Sequence, residues 1–274
     1  MCGIFPQLTS RKGVKKAFKK GRIYLNGFVV EGSRYARVGD MISLIRLLPE
    51  RVYQRNLQIV FEDDYLAVVI KPAGLSVSGN TFQTIARALH YNLLPGGSID
   101  ALDNPIPVHR LDAQTSGLLV LAKSSVAATI LGRLFESRQI YKTYMALVVG
   151  TPPDRGEFHA DVEERNASTT YEKVSSVRSL QNGTLSLLRL TPRTGRTHQL
   201  RIHLALAGHP ILGDSLFGKK GSVLTGKGLF LYAVGLMFAH PVFPEREIKL
   251  EIPLPRKFTS RMEKEERRWR KYRE

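Results

Sequence analysis

The sequence predicts an α+β fold built on a mostly antiparallel mixed sheet, preceded by a small helix-plus-hairpin module. Apolar runs of strand length, separated by turn residues, recur along the chain, whereas few segments have helical periodicity. A length of 274 residues with 43% hydrophobic content allows a large core. No apolar run approaches the ~20 residues needed to cross a bilayer, and no leader-like segment opens the chain, so a cytoplasmic protein is expected.

The N-terminal module is predicted from three signals. "RKGVKKAFKKGR", residues 11–22, spaces its apolar residues four apart among lysines, which predicts a short basic helix ending at Gly21. Asn26-Gly27 between apolar β-formers predicts a hairpin, and Gly39-Asp40 predicts a turn before a last strand. The module therefore exposes a basic helix beside a small sheet.

The main domain begins with "IVFEDDYLAVVIKP", an apolar hairpin around the acidic turn 62–64. A buried strand follows at 117–123, and a helix over 125–138 is expected to bury the face of Val126, Ile130 and Leu134.

Later elements are predicted from the same patterns. Strands are expected at 140–150, 185–190, 229–238 and 247–255, with a helix over 197–208 stopped by Gly208 and a charged helical tail. The domain boundaries are 1–50 for the module, 51–57 for a linker, 58–257 for the main domain and 258–274 for the tail.

The charge distribution indicates a polyanionic partner. The net charge is +17, and the excess lies at the ends: residues 1–55 carry 12 Lys and Arg against 3 acids, and residues 256–274 carry 9 against 4. Nucleic acid is the leading partner class. The single cysteine, Cys2, can close no intramolecular disulfide and fits a reducing compartment.

The N-terminal module resembles an S4 RNA-binding domain, which has a basic helix, a "G-x-V-x-V-N-G" segment and a later "G-D-x-I". Here the two short motifs appear as residues 21–27 and 39–42. The alternative is a basic but merely solvated surface. The resemblance implies RNA binding by the cations of the helix and its end, which are Arg11, Lys12, Lys15, Lys16, Lys19, Lys20 and Arg22.

Three segments of the main domain concentrate charged residues beside apolar runs: "VHRLDAQTSG", "IYKTYMALVVG" and "RTGRTHQLRIHLALAGHPILGD". Together with "EDDYLAVVIKPAGLSV" they resemble, in order and spacing, the motifs of the RluA-like pseudouridine synthases, the ribosomal-large-subunit type. The resemblance covers roughly residues 58–255. It implies an isomerase that converts uridine in RNA to pseudouridine without a cofactor or metal.

The resemblance assigns a role to each matching residue. Asp112 matches the catalytic aspartate, and Arg110 matches the arginine that accommodates the flipped-out nucleotide. Tyr144 matches the tyrosine that packs on the base and could transfer a proton at C5. Arg201 matches the basic residue paired with the aspartate, and Leu200 an apolar wall of the base pocket.

The chemistry agrees with these roles. Moving the glycosidic bond from N1 to C5 needs an ionised carboxylate near the sugar, as nucleophile or as base, and a guanidinium close to Asp112 would keep it ionised. His109 and His198 are expected to orient backbone or RNA groups. A zinc site is not expected, because His198 and His203 would point about 140° apart on a helix.

Several alternatives stay open at this point. Asp112 could be a structural turn residue, Tyr144 simple core and Arg201 a surface residue. The whole chain could be an RNA-binding or ribosome-assembly protein with a disused site, whereas a DNA-binding regulator lacks any expected module. Ribosomal RNA is favoured over transfer RNA as the substrate, and a monomer is the default.

Overall fold

The computed structural model describes residues 4–8, 10–45, 51–218 and 227–273; Cys2 lies outside them. The helices within these residues are α1 (Arg11–Lys19), α2 (Ile85–Asn92), α3 (Ser125–Glu136), α4 (Gln199–Leu206) and α5 (Arg256–Arg273). The strands within them are β1 (Ile23–Leu25), β2 (Phe28–Val29), β3 (Ile42–Leu44), β4 (Gln58–Glu62), β5 (Leu66–Lys71), β6 (Ala101–Pro107), β7 (Ser116–Ser124), β8 (Tyr141–Val149), β9 (Arg155–Val162), β10 (Arg165–Ser179), β11 (Gly183–Pro192), β12 (Leu231–Ala239) and β13 (Glu247–Glu251). No helix in the described part of the chain is both long and apolar enough to span a membrane.

The N-terminal module is a small antiparallel sheet, in the order β2-β1-β3, beside α1. Asn26 and Gly27 both have positive φ, 50° and 85°, which is the requirement of a two-residue hairpin turn that matches strand twist. The Asn26 side chain also donates to Asp40 and accepts from the amide of Met41, each at 2.8 Å, so the two predicted turns support each other. The predicted helix, hairpin and last strand are all present.

The module contacts the main domain through polar groups. Arg22 forms an ion pair with Asp103 on β6 and donates from Nε to the carbonyl of Ile45 at 3.0 Å. Gln7 donates to the carbonyl of Ile99 at 3.0 Å. Arg22, predicted to bind RNA, is therefore engaged inside the protein.

The main domain is one ten-stranded sheet, as predicted from the apolar runs. Its strand order is β4-β5-β7-β12-β8-β11-β10-β9, with β6 added on β7 and β13 on β12. Within the described residues all pairs are antiparallel except β7 with β12. The fully buried β7 lies between β5 and β12, and its entry loop carries Asp112. The α+β prediction is confirmed.

The buried face predicted for α3 is wrong at Val126, whereas Leu134 packs against the core as expected. Val126 is 46% exposed, whereas Ala127 and Leu131 are fully buried against the sheet. The helix starts directly at the end of the buried β7, with Ser124 as its N-cap, so the strand's exit direction sets which side of the helix meets the sheet.

Four elements gave no signal that sequence reasoning detected: α2, β6, β9 and β10. The turn between β9 and β10 is formed by Glu163 and Glu164, both left-handed with φ of 54° and 59°. Asparagine and glycine are the usual residues for that conformation, so the hairpin lacked its usual sequence mark.

The charged tail is helical, as predicted, and one side of it is packed rather than solvated. Phe258 of α5 is fully buried in the main core. Glu265, also buried, accepts a hydrogen bond from the Ser179 hydroxyl at 2.6 Å and pairs with Arg261 at 2.7 Å. These contacts fix α5 to the end of β10.

Candidate active site

A cavity of about 480 Å³ opens where the loop before β7, the start of β8, the loop after β11 and the start of α4 meet. All seven residues predicted for catalysis or substrate binding line it: His109, Arg110, Asp112, Tyr144, His198, Leu200 and Arg201. They come from segments up to 92 positions apart in the chain. The fold therefore gathers the three charged motifs at one place.

Asp112 lies in the loop that enters β7. Its carbonyl accepts from the amide of Thr115 at 3.1 Å, which closes a turn, and its side chain is 15% exposed toward the cavity. Oδ2 lies 3.6 Å from Nη1 of Arg201, and Oδ1 lies 3.7 Å from Nε2 of His198. The carboxylate thus has a guanidinium and an imidazole as neighbours without a short hydrogen bond to either, and its oxygens remain able to approach a substrate.

Arg201 is held by a second carboxylate that sequence reasoning did not single out. Asp214 accepts two hydrogen bonds from Arg201, from Nε and from Nη2, each at 2.8 Å. Asp214 is buried and also accepts from the amides of Leu216 and Phe217 at 2.9 and 3.0 Å. This fork-to-fork pair leaves Nη1 of Arg201 for Asp112.

The electrostatics of this pair favour both charges. Burial alone would raise the pKa of Asp214, but the Arg201 guanidinium and the two backbone amides lower it below its ordinary value. The hydrogen bonds to Asp214 raise the pKa of Arg201 despite its burial, with a smaller contribution from Asp112. Asp112 therefore always faces a fixed positive charge.

His198 precedes α4 in the left-handed region, with φ of 55°, and makes no side-chain capping bond. Non-glycine residues in this region cost about 1–2 kcal/mol, and such strain is concentrated at functional sites. The ring of Phe217 lies 5.7 Å from the His198 ring and 5.1 Å from the Arg201 guanidinium carbon. Phe217 thus packs beside both side chains that neighbour Asp112.

Tyr144 and Leu200 provide the apolar part of the wall. Tyr144 lies on β8, between Leu190 of β11 and Ala233 of β12, and packs against the two core clusters that flank the sheet. Burial raises its pKa, and the charge of Asp112 raises it further, so the phenol stays neutral. Leu200 is buried one residue before Arg201, so α4 supplies a wall and a charge together.

His109 and Arg110 differ in exposure. Burial lowers the pKa of His109 to about 3, with a further contribution from Lys142, so its ring is neutral. Its Nε2 accepts from the amide of Val120 on β7 at 3.0 Å, and the ring stacks on Phe135 at 4.6 Å. His109 therefore ties the Asp112 loop to the sheet, while Arg110 is exposed at the cavity mouth.

Lys71 is a further residue that sequence reasoning left out of the site. Its side chain is fully buried at the end of β5, and Nζ donates to the carbonyls of Pro72, Leu75 and Ala113 at 3.0, 2.7 and 3.0 Å. Burial lowers its pKa to about 8, opposed by the nearby charge of Asp112. Because Ala113 follows Asp112, Lys71 fixes the backbone beside the carboxylate; a lysine inside an apolar strand was the available signal.

The cations predicted to bind RNA lie elsewhere. Those of α1 are exposed on the N-terminal module and do not line the cavity; they are Arg11, Lys12, Lys15, Lys16, Lys19 and Lys20. In the described part of the chain no cluster of three or more potential metal ligands occurs.

A family model described as RNA pseudouridylate synthase matches residues 65–206, just over half of the chain and most of the cavity lining. The chain belongs to this family. The resemblance to the RluA-like synthases is confirmed, and the protein is an RNA pseudouridine synthase. The N-terminal module lies outside the matched residues.

Relatives match nearly the whole chain. An uncharacterized RNA pseudouridine synthase of Aquifex aeolicus is 35% identical over 92% of this chain and 88% of its own length. The ribosomal large subunit pseudouridine synthase C of Rickettsia conorii is 33% identical over 94% and 93%, and synthase D of Vibrio cholerae is 30% identical over 90% and 84%. The similarity thus extends beyond the residues that the family model matches.

Solved structures agree on the fold. Human RNA pseudouridylate synthase domain containing 1 has a TM-score of 0.61 at 24% identity and covers 75% of this chain and 86% of its own. The domain containing 4 protein has a TM-score of 0.58 at 26% identity, covering 74% and 90%.

Proposed function

We propose that this enzyme converts specific uridines of ribosomal RNA to pseudouridine, with Asp112 as the catalytic carboxylate. The observation that carries the proposal is the position of Asp112: it faces a cavity and lies 3.6 Å from an arginine that Asp214 holds in place. Ribosomal RNA is favoured because relatives from Rickettsia and Vibrio are named for the large ribosomal subunit.

The reaction needs an ionised carboxylate near the ribose of the target uridine. The bond from N1 of the uracil to C1′ of the ribose breaks, the base turns, C5 bonds to C1′, C5 loses its proton and N1 gains one. Asp112 acts near the sugar, as nucleophile at C1′ or as base, and both roles need the ionised form. Arg201 supplies the positive charge that favours this form.

The cavity also suits a base that has left the stack. Turning a nucleotide out of RNA costs a few kcal/mol, which stacking on an aromatic or apolar wall offsets. Tyr144 and Leu200 supply such a wall. Because the phenol of Tyr144 is neutral, it can donate a hydrogen bond to the detached uracil without adding a charge beside Asp112.

The N-terminal module gives a second RNA contact in this proposal. Its S4-like helix and the residue after it expose six cations, and the module is tied to β6 through the ion pair of Arg22 with Asp103. A rigid attachment would let the module set which RNA region reaches the cavity, and a single copy of the chain would suffice.

Tritium release from ribosomal RNA transcripts labelled at uridine C5 tests the proposal. The wild type releases label, and Asp112→Asn releases none although its fold and RNA binding persist. Asp161→Asn, an exposed carboxylate on β9, is the matched control and retains wild-type release. Turnover by Asp112→Asn contradicts the catalytic role. If tritium is released from transfer RNA but not from ribosomal RNA, the substrate is transfer RNA. If the protein binds RNA but releases no tritium from either RNA, the site is disused.

A further inference from the structure

Three cations on the cavity wall have no place in the chemistry described above and, unlike Arg193, no ion pair with a carboxylate of the described residues. Arg138, Lys142 and Arg196, which we name the rim cluster, all line the cavity. Of the residues that the structure describes, only His198 and Arg201 come within ion-pair distance of Asp112. The rim cluster is therefore not paired with the catalytic carboxylate.

The three residues converge although they come from two separate segments. Arg138 follows the C-cap of α3, three positions before the first residue of β8, and Lys142 is the second residue of β8. The loop after β11 lies against Lys142, since a β-carbon at Gly195 would be 3.7 Å from Nζ of Lys142, and Arg196 follows Gly195; Arg138 lines the same cavity. No carboxylate of the described residues lies at ion-pair distance from Arg138, Lys142 or Arg196. No direct ion pair within the described residues thus neutralises their charge.

The backbone of Arg138 indicates that a side chain is useful there. Its φ is 62°, at the position after the helix cap, and the amides of Arg138 and Gln139 donate to the carbonyls of Phe135 and Leu134. This is the Schellman arrangement, in which glycine is the usual residue because the left-handed region disfavours a β-carbon. The chain accepts that cost and places a guanidinium at the cavity mouth.

The environment of Lys142 and Arg196 points to an anionic ligand. Burial lowers the pKa of Lys142, so an arriving anion would restore the interactions that its ammonium loses. Nε of Arg196 is buried without a hydrogen-bond partner in the structure, while its backbone amide is fixed by Gln199 at 3.0 Å. Planar guanidinium groups bind phosphate through paired N–H donors.

We propose that the rim cluster binds phosphodiester groups of the RNA strand beside the target uridine. This inference rests on the proposed function, because a nucleotide that enters the cavity must bring its flanking phosphates to the mouth. The cluster holds the strand while Asp112 and Arg201 act on the nucleoside. It adds affinity that is independent of base identity.

The salt dependence of RNA binding tests the cluster without requiring turnover. Filter binding to a ribosomal RNA transcript is measured between about 50 and 200 mM salt, with every variant made in an Asp112→Asn chain. Each lost phosphate contact reduces the slope of log affinity against log salt by about 0.7–0.9. Arg138→Gln and Arg196→Gln each lower the slope, and the double variant lowers it by about 1.5. Arg133→Gln, an exposed arginine on α3 outside the cavity lining, is the matched control.

The two proposals fail in different ways. If the double variant keeps the slope and affinity of the Arg133→Gln control, the rim cluster does not bind phosphate, whatever the turnover of the wild type. In otherwise wild-type chains, the same substitutions raise KM about tenfold at low salt and converge toward the control as salt rises. A loss confined to kcat at every salt concentration also refutes phosphate binding.

Discussion

Asp214 provides the sharpest test of how the site is held together. In the folded chain it accepts four hydrogen bonds, two from Arg201 at 2.8 Å and two from the amides of Leu216 and Phe217. Asp214→Asn keeps the side-chain volume but removes the negative charge. One carboxylate oxygen that accepted from Arg201 is replaced by an amide NH₂, which is itself a donor. The guanidinium, which is only 5% exposed, then has Asp112 at 3.6 Å as its remaining charged partner.

The structure sets the size of the effect. Breaking one side of a buried ion pair costs about 3–5 kcal/mol, a large part of the roughly 5–15 kcal/mol that stabilises a typical domain. Arg201 also loses the fork that directs Nη1, and misplacing a catalytic neighbour by ~1 Å can lower a rate ~100-fold. We expect kcat to fall at least tenfold in Asp214→Asn, with a smaller change in KM, because RNA is bound mainly through other cations.

Two measurements separate positioning from general destabilisation. Urea unfolding gives the change in the free energy of unfolding for Asp214→Asn, Arg201→Met and the double variant. The pair is expected to be coupled by more than about 1 kcal/mol, because removing both partners leaves no uncompensated buried charge. Tritium release is then measured at a temperature where every variant is folded. Additive free energies, or a folded Asp214→Asn with wild-type kcat, would refute the positioning role.

Two further predictions concern Lys71 and Arg138. Burial lowers the pKa of Lys71 in the folded protein to about 8 from an ordinary 10.5, so the folded protein loses this proton at a lower pH than the unfolded chain. The free energy of unfolding therefore rises with pH between these two values. Lys71→Met abolishes that rise in urea titrations at pH 8–10, and an unchanged profile would contradict it. Arg138→Gly relieves a left-handed β-carbon and is expected to stabilise the fold by about 0.5–1 kcal/mol while weakening RNA binding at low salt. If Arg138→Gly is less stable than the wild type, or binds RNA as tightly, then Arg138 does not lower stability in favour of RNA binding.

The sequence predicted those elements whose conformation is encoded within a few neighbouring residues. The Asn26-Gly27 hairpin and the apolar run of β7 needed no tertiary information, since backbone conformation and burial are encoded within a few residues. The β9–β10 hairpin lacked that encoding because glutamates occupy its left-handed turn. The buried side of α3 depended on the direction in which β7 ends, which periodicity alone cannot give.

The candidate site divides in the same way. Motif resemblance indicated Asp112, Tyr144 and Arg201, and the fold brings all three to one cavity. It did not indicate Asp214 as the partner that holds Arg201. The two residues are 13 positions apart across a loop, and such a pair has no recognisable spacing in the sequence. The rim cluster was missed for a related reason, since its members become neighbours only when the loop after β11 lies against β8.

Formation of pseudouridine itself decides whether Asp112 is catalytic and whether ribosomal RNA is the substrate. An unmodified ribosomal RNA transcript is incubated with the wild type or with Asp112→Asn, digested to nucleosides and analysed by chromatography, with modified positions mapped in parallel. The account predicts pseudouridine at a few defined uridines with the wild type and none with Asp112→Asn. Pseudouridine at the same positions with both proteins would contradict the role of Asp112, and its absence with both would contradict ribosomal RNA as the substrate.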